Sequence, residues 1–437
     1  MKIFLGLLSL LSVLLLAAPP APAADLTAHG LFSTNVLFRT DSDFDHSAPV
    51  YDAKGQTVGQ AATLFRPDFL WTPAQHLQVF YQVELGWNAW ARNNPDQGFA
   101  GDQSAMLLKH RELWASVMLP GKVLVKTGYQ YLQDPSGVYL AHWAGAVSLT
   151  TTRGLWAFEA ALGQLPDDSY EGLVQGQTGF TRDVFFLNLG ASRKIHNSLD
   201  LDLFLGGMGD YTRAGRSVQL ATLEAGFRYK HGNTRGQFHA LTQAGVLEGY
   251  AVGGANRYHG ALAVQGGVSR RSGPVYLSAG ALLLSPDDDE EGDNGNSAFF
   301  YSGKNRSPSL ILSEDELRDR YDNLDERVSQ TLGSFFVNRA GLLLLDASVG
   351  YSLTPRISPV LVLAGGFSLN PENSGGGRLL GLESDLVVDF AVLDQASFLA
   401  VAQVFLPGEA SSVFVNEAHP FSTDPVAGFQ AAFAARF

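Results

Sequence analysis

The chain of 437 residues contains no cysteine. That excludes a disulfide framework and a thiolate metal site. It also excludes lipid attachment through a cysteine behind a leader peptide. Charge is sparse, at 17% of residues, and the basic sign is the scarcer one. Lys and Arg number 30 against 43 Asp and Glu, for a net charge of −13. A nucleic-acid partner calls for a basic surface, so that class is set aside. Beyond residue 16 no apolar run approaches the about 20 residues that a membrane-spanning helix needs. Catalytic signatures are missing too. There is no Gly-x-Ser-x-Gly elbow, no His-Glu-x-x-His and no phosphate loop. No linker, long charge run or compositional shift divides the chain, and nothing calls for a cofactor.

The N-terminus does have a clear character. Lys2 precedes an apolar run from Ile3 to Leu16, and Pro19, Pro20 and Pro22 end it. Ala21-Pro22-Ala23 has the small-x-small form of a cleavage site. Residues 1–23 therefore read as a cleaved secretory signal, with one domain over 24–437.

That domain has a rhythm of period two, the mark of a strand with two different faces. In Leu77 to Trp87, Leu77, Val79, Tyr81, Val83, Leu85 and Trp87 oppose Gln78, Phe80, Gln82, Glu84 and Gly86. In Leu199 to Leu205 the leucines oppose Asp200 and Asp202. The pattern predicts strands at 25–39, 61–73, 76–91, 105–119, 122–131, 140–150, 153–165, 180–194, 197–208, 217–230, 233–246, 256–270, 273–285, 339–353, 356–369, 378–391, 394–406 and 425–437. Every second connection is a tight turn, as in Pro120-Gly121-Lys122, His231-Gly232-Asn233 and Arg271-Ser272-Gly273, with residues suited to hairpins. The connections at 40–60, 92–104, 166–179, 247–255, 286–338 and 407–424 are longer and polar. Short turns on one side and long loops on the other describe an outer-membrane barrel. The expected fold is all-β: a transmembrane antiparallel up-and-down β-barrel of eighteen strands, the same pattern also admitting sixteen. An even number returns both termini to the periplasmic side of a Gram-negative outer membrane. Closure leaves no strand edge in lipid.

The last strand places Phe429, Ala431, Phe433, Ala435 and Phe437 on one face. This alternation, ending in phenylalanine, looks like the signal read by the barrel assembly machinery, with Phe433 and Phe437 as its main residues. Tryptophans and tyrosines, Trp71, Trp114, Trp156 and Tyr229 among them, suit the aromatic girdles of a membrane interface.

Several segments carry a resemblance. Arg111-Glu112-Leu113-Trp114-Ala115-Ser116-Val117, then Leu119-Pro120-Gly121-Lys122 and Val125-Lys126-Thr127-Gly128-Tyr129-Gln130, resemble strands of the alginate-export family of outer-membrane porins. Phe65-Arg66-Pro67, Leu382-Glu383-Ser384-Asp385-Leu386 and Phe405-Leu406-Pro407-Gly408-Glu409 are similar to other strands of that family. Tyr129 stands where the family has arginine. The resemblance implies an eighteen-stranded monomeric barrel that passes a polar solute. It does not imply alginate, because a polyanion needs a strongly basic bore.

Parity assigns the bore's lining. Pore-lining candidates are Arg66, Asp68, Glu84, Glu112, Lys126, Glu159, Asp200, Asp202, Glu224, Arg228, Arg235, Glu383, Asp385 and Asp389. Lys194, Asp346 and Arg436 share that face. Acids outnumber bases roughly two to one, so the expected cargo is small, polar, and neutral or cationic. The loop 286–338 opens on an acidic run, of which Asp287, Asp288, Asp289, Glu290 and Asp293 are weak Ca²⁺ candidates; a solvated loop tip explains them better. Ser313-Glu314-Asp315-Glu316 is a capping box, which predicts a helix over about 314–328. This loop could fold into the mouth and narrow the pore, lie over it as a lid, or stand as a surface loop that contacts other molecules. The leading function is a passive channel, not an enzyme, bounded by outer-membrane lipids. A scaffold barrel that sheathes or exports a partner and a barrel enzyme stay as alternatives.

Overall fold

The computed structural model describes residues 25–40, 57–92, 107–165, 184–211, 217–249, 256–287, 295–299, 340–410 and 423–437. Residues 1–24, and with them the expected signal, lie outside this set.

The described residues form one antiparallel, closed barrel of eighteen strands. The strands are β1 (Asp25–Thr40), β2 (Thr57–Ala74), β3 (Leu77–Arg92), β4 (Leu107–Leu119), β5 (Val123–Gln133), β6 (Ala141–Arg153), β7 (Trp156–Leu165), β8 (Val184–His196) and β9 (Leu199–Asp210). They continue with β10 (Ser217–His231), β11 (Thr234–Glu248), β12 (Arg257–Ser272) and β13 (Val275–Leu284). A two-residue segment follows, β14 (Gly295–Asn296), and then β15 (Leu342–Tyr351), β16 (Ile357–Phe367), β17 (Leu379–Leu393), β18 (Ala396–Pro407) and β19 (Val426–Arg436). Each long strand pairs with its neighbour in sequence, β13 joining β15. β14 runs parallel to β12 at Tyr258 and His259.

Closure is made by β1 on β19, in register from Leu31↔Arg436 to Arg39↔Gly428. Phe437 finishes the seam. Its N–H donates to the Gly30 carbonyl at 3.1 Å, and Gly30 N–H donates back at 3.0 Å. The Phe437 ring stacks on Phe65 with centroids 5.7 Å apart. A Cβ on residue 30 would stand 2.3 Å from that ring, so only glycine leaves the ring its seat.

The turns on one side are short. Gly154, Gly232 and Gly273 hold φ of +61°, +56° and +58° in them, a conformation that glycine adopts without Cβ strain.

Candidate functional site

The two faces of the wall invert the pattern of a water-soluble protein. Leu113, Leu162, Leu203, Leu223, Phe227 and Leu262 point out and are exposed, whereas Glu84, Gln130, Asp202, Glu224, His239 and Gln403 point in and are buried. Neighbouring residues of one strand part between the two sets because side chains alternate across a strand. Such an exterior is stable only against lipid.

Strand parity and register turn Arg66, Asp68, Glu84, Glu112, Lys126, Glu159, Asp200, Asp202, Glu224, Arg228, Arg235, Glu383, Asp385 and Asp389 to the interior. They fall into groups around the wall. Glu84, fully buried, accepts from Arg66 Nη2 at 2.6 Å and from Arg111 Nε at 2.7 Å. His29 lies 3.4 Å from Asp68. Lys126 Nζ sits 4.2 Å from the centroid of Trp114, whose indole N–H donates to Glu112 at 2.8 Å. Arg228 donates from Nε to Asp202 at 2.6 Å, and Ser192 also donates to Asp202. His239 Nδ1 is 2.8 Å from Glu224, both side chains sealed from solvent.

The most consequential element is a short connection. Residues 134–140, between β5 and β6, fold into the barrel. Val138, Tyr139 and Leu140 are buried. Tyr139 packs on Phe204 of β9 at a centroid distance of 5.8 Å. It lies against Gly206, where a Cβ would come within 2.5 Å of the ring. Asp134 organises this loop from within, because its carboxylate accepts from the N–H groups of Ser136 (3.1 Å), Gly137 (2.9 Å) and Leu140 (2.5 Å) and from the Ser136 hydroxyl. Burial, reinforced by the neighbouring charge of Glu224 on β10, pushes the Asp134 carboxyl up to about 7. The loop thus reaches from β5 and β6 across to β9 and β10. Beside it lies a cavity of about 560 Å³, with Leu132, Pro135, Glu159, Asn188, Asp202 and Arg228 in its walls.

The base of the long loop also packs inward. His259 Nδ1 meets Asn296 Oδ1 at 3.0 Å, and its Nε2 meets Gln243 Oε1 at 3.3 Å. Asn296 and Ser297 donate to Asp287. The Asp287 carboxylate is therefore engaged by protein donors. Asp288, Asp289, Glu290 and Asp293, and the expected helix at 314–328, lie outside the described residues. Among the described residues no group of side chains is arranged to hold a metal ion.

Two elements escape a reading by parity. Arg111 alternates with Glu112 and so belongs on the lipid side, but the register shifts between Gln82 and Val83. This bulge brings Arg111 to Glu84. The Arg-Glu tandem in a strand was the available signal, since an arginine facing lipid is costly. The second element is the loop 134–140 itself. Its signals are Asp134-Pro135-Ser136-Gly137, a turn sequence, followed by three large apolar residues that a solvent-facing loop would not carry.

No protein-family model matches the sequence, and no curated protein matches it. Solved structures do match. Pseudomonas aeruginosa OccK9 (OpdG) superposes with a TM-score of 0.60 at 14% identity, covering 94% of this chain and 98% of that one. Pseudomonas aeruginosa OccK8 (OprE) gives 0.58 at 13%, with 94% and 98% covered. Acinetobacter baumannii OccAB1 gives 0.57 at 10%, with 94% and 96% covered. The alginate-export resemblance gains no specific support from them. At such identities the likeness establishes the fold: this chain has the eighteen-stranded barrel of the OccD/OprD structures.

Proposed function

We propose that the protein is a passive outer-membrane channel for small polar solutes, with the inserted loop 134–140 as its described constriction. One observation carries the reading. The barrel shows leucine and phenylalanine outside and carboxylates, guanidiniums and amides inside, which suits a water-filled bore through lipid. The structures it resembles are outer-membrane porins, which supports the same reading. So do the lining side chains, which carry both signs of charge. The pore-lining residues of the sequence reading would set the selectivity, with Glu383 and Asp385 giving a cation lean. We read the chain as a monomer without enzymatic activity, whose Phe433 and Phe437 serve the assembly machinery. The narrower kinship with alginate-export channels rests on the strand motifs alone.

Planar-bilayer recording of refolded protein tests this. Stepwise conductance is expected, with a cation-leaning reversal potential that weakens in E383Q/D385N. A barrel that inserts and passes no current would refute the channel and favour the scaffold reading.

A further inference from the structure

On the outer face of the barrel, close to its short turns, one row runs Arg153↔Trp156↔Arg193 across β6, β7 and β8. Register puts these side chains on the face of Phe158, Leu162 and Leu189, which are exposed toward lipid. The Arg193 guanidinium lies over the Trp156 ring, 5.2 Å from its centroid. Trp156 in turn stacks on Phe158, with centroids 5.8 Å apart. Arg153 extends toward the neighbouring turn, where a Cβ on Gly121 would stand 3.1 Å from its Nη2. The next rows toward the middle of the wall are Thr151↔Phe158↔Ala191 and then Leu149↔Ala160↔Leu189, and they carry no charge.

Two further observations point to an anionic ligand. Both arginines are exposed, and among the described residues neither has an ion-pair partner. No acid of β5 to β9 shares their face either, because Glu159, Asp200, Asp202 and Asp210 all have inward parity. Reaching toward water with the stem along the wall would explain a single arginine. It does not explain a guanidinium held flat on a lipid-facing indole with a second one on the other flank. Stacking uses the flat of the guanidinium and leaves the N–H groups in its plane free to donate.

We propose that Arg153, Trp156 and Arg193 bind the phosphate headgroup of an anionic phospholipid in the periplasmic leaflet, with an acyl chain lying over Phe158, Ala160 and Leu189. The inference needs only a barrel seated in lipid and is independent of conduction. Guanidinium groups hold phosphate through paired, charge-assisted hydrogen bonds. Adjacent strands lie about 4.8 Å apart, so the backbones that carry the two arginines are roughly 10 Å apart, and their long side chains can converge on one phosphodiester in front of Trp156. An indole between them sits at the level where headgroups lie. A zwitterionic headgroup would bring an ammonium that finds no carboxylate on this face, so a net negative headgroup is preferred. A free phosphate would leave the apolar rows above the arginines unused.

The test is native mass spectrometry of the folded, detergent-solubilised chain, titrated with phosphatidylglycerol and, separately, with phosphatidylethanolamine of the same acyl chains. The unaltered protein should retain phosphatidylglycerol in preference to phosphatidylethanolamine. Binding of the tightest phosphatidylglycerol should be about fivefold weaker in R193Q and at least about tenfold weaker in R153Q/R193Q. R270Q is the matched control. It removes an outward arginine that stands alone on β12, between Thr234 and Leu277, and it should leave that binding unchanged. Equal retention of the two lipids, no loss in R153Q/R193Q, or a loss in R270Q as large as that in R193Q overturns the site. Displacement of the lipid by glycerol phosphate at the concentration where phosphatidylglycerol itself competes would overturn the assignment to a lipid. Bilayer current is read separately, so a silent barrel that retains phosphatidylglycerol loses the channel and keeps this site.

Discussion

The inserted loop should loosen as pH rises, and Asp134 should be the cause. When the loop is docked, burial and the charge of Glu224 hold the Asp134 carboxyl at about 7, against 3.8 for a free aspartate. The docked loop therefore keeps a proton that an undocked loop would release between those two values. Docking is strongest below pH 3.8 and weakens by about 1.4 kcal/mol per pH unit up to about pH 7. Across that window the loss is on the order of 4 kcal/mol. The opposing anchor is the burial of Val138, Tyr139 and Leu140, at about 1.5–3 kcal/mol per large side chain. The two are of similar size, so the loop stays docked at neutral pH while its undocked fraction grows steeply. In single-channel records, large-conductance excursions should become about tenfold more frequent per pH unit between pH 5 and 6.5. D134N keeps the shape of the side chain and removes its titration, and it should flatten that slope to less than about twofold. Glu224, its neighbour His239 and Asp202 are the other titratable groups facing this junction. If D134N retains the full slope, the titration belongs to that set and the argument from Asp134 fails. An unaltered protein with no slope would refute it equally.

Two further outcomes follow from the charge clusters and the seam. Glu84 is buried between Arg66 and Arg111, and removing one partner of a buried ion pair leaves an uncompensated charge, at about 3–5 kcal/mol. E84Q should lower the unfolding midpoint and move the reversal potential in a salt gradient toward anions; an unchanged potential would mean that this cluster does not face the conducting path. Gly30→Val should displace the Phe437 ring and lower the heat resistance of the barrel on a mobility-shift gel. Adding Phe437→Ala should recover part of the loss, and a double variant as weak as the single one would show that the seat of the ring is irrelevant.

The strands were legible because lipid and lumen each act on alternate residues, so the fold is written locally. Leu77 to Trp87 declares its two faces without reference to any partner strand. The short turns were legible for the same reason, each being a few residues of fixed chemistry, as at His231-Gly232-Asn233. What was hidden depends on distant pieces meeting. The segment 134–140 is too short to draw attention as a constriction, and the eye goes instead to 286–338, most of which lies outside the described residues. Only the approach of Tyr139 to Gly206, about 70 positions on, reveals that the short loop packs inward against β9.

The same limit governs charge. Counting acids and bases by parity makes the lumen look about two to one acidic, and it treats every carboxylate as equal. The bulge at Gln82 and Val83 adds Arg111 to the inner face, and Arg66 and Arg111 together offset Glu84. Arg228 offsets Asp202 in the same way. Carboxylates clamped by arginines at 2.6–2.7 Å contribute little net potential beyond a Debye length of about 8–10 Å. They act instead as fixed dipoles that keep the wall wet and rigid. Any cation lean of the bore should therefore be smaller than the raw count of carboxylates suggests.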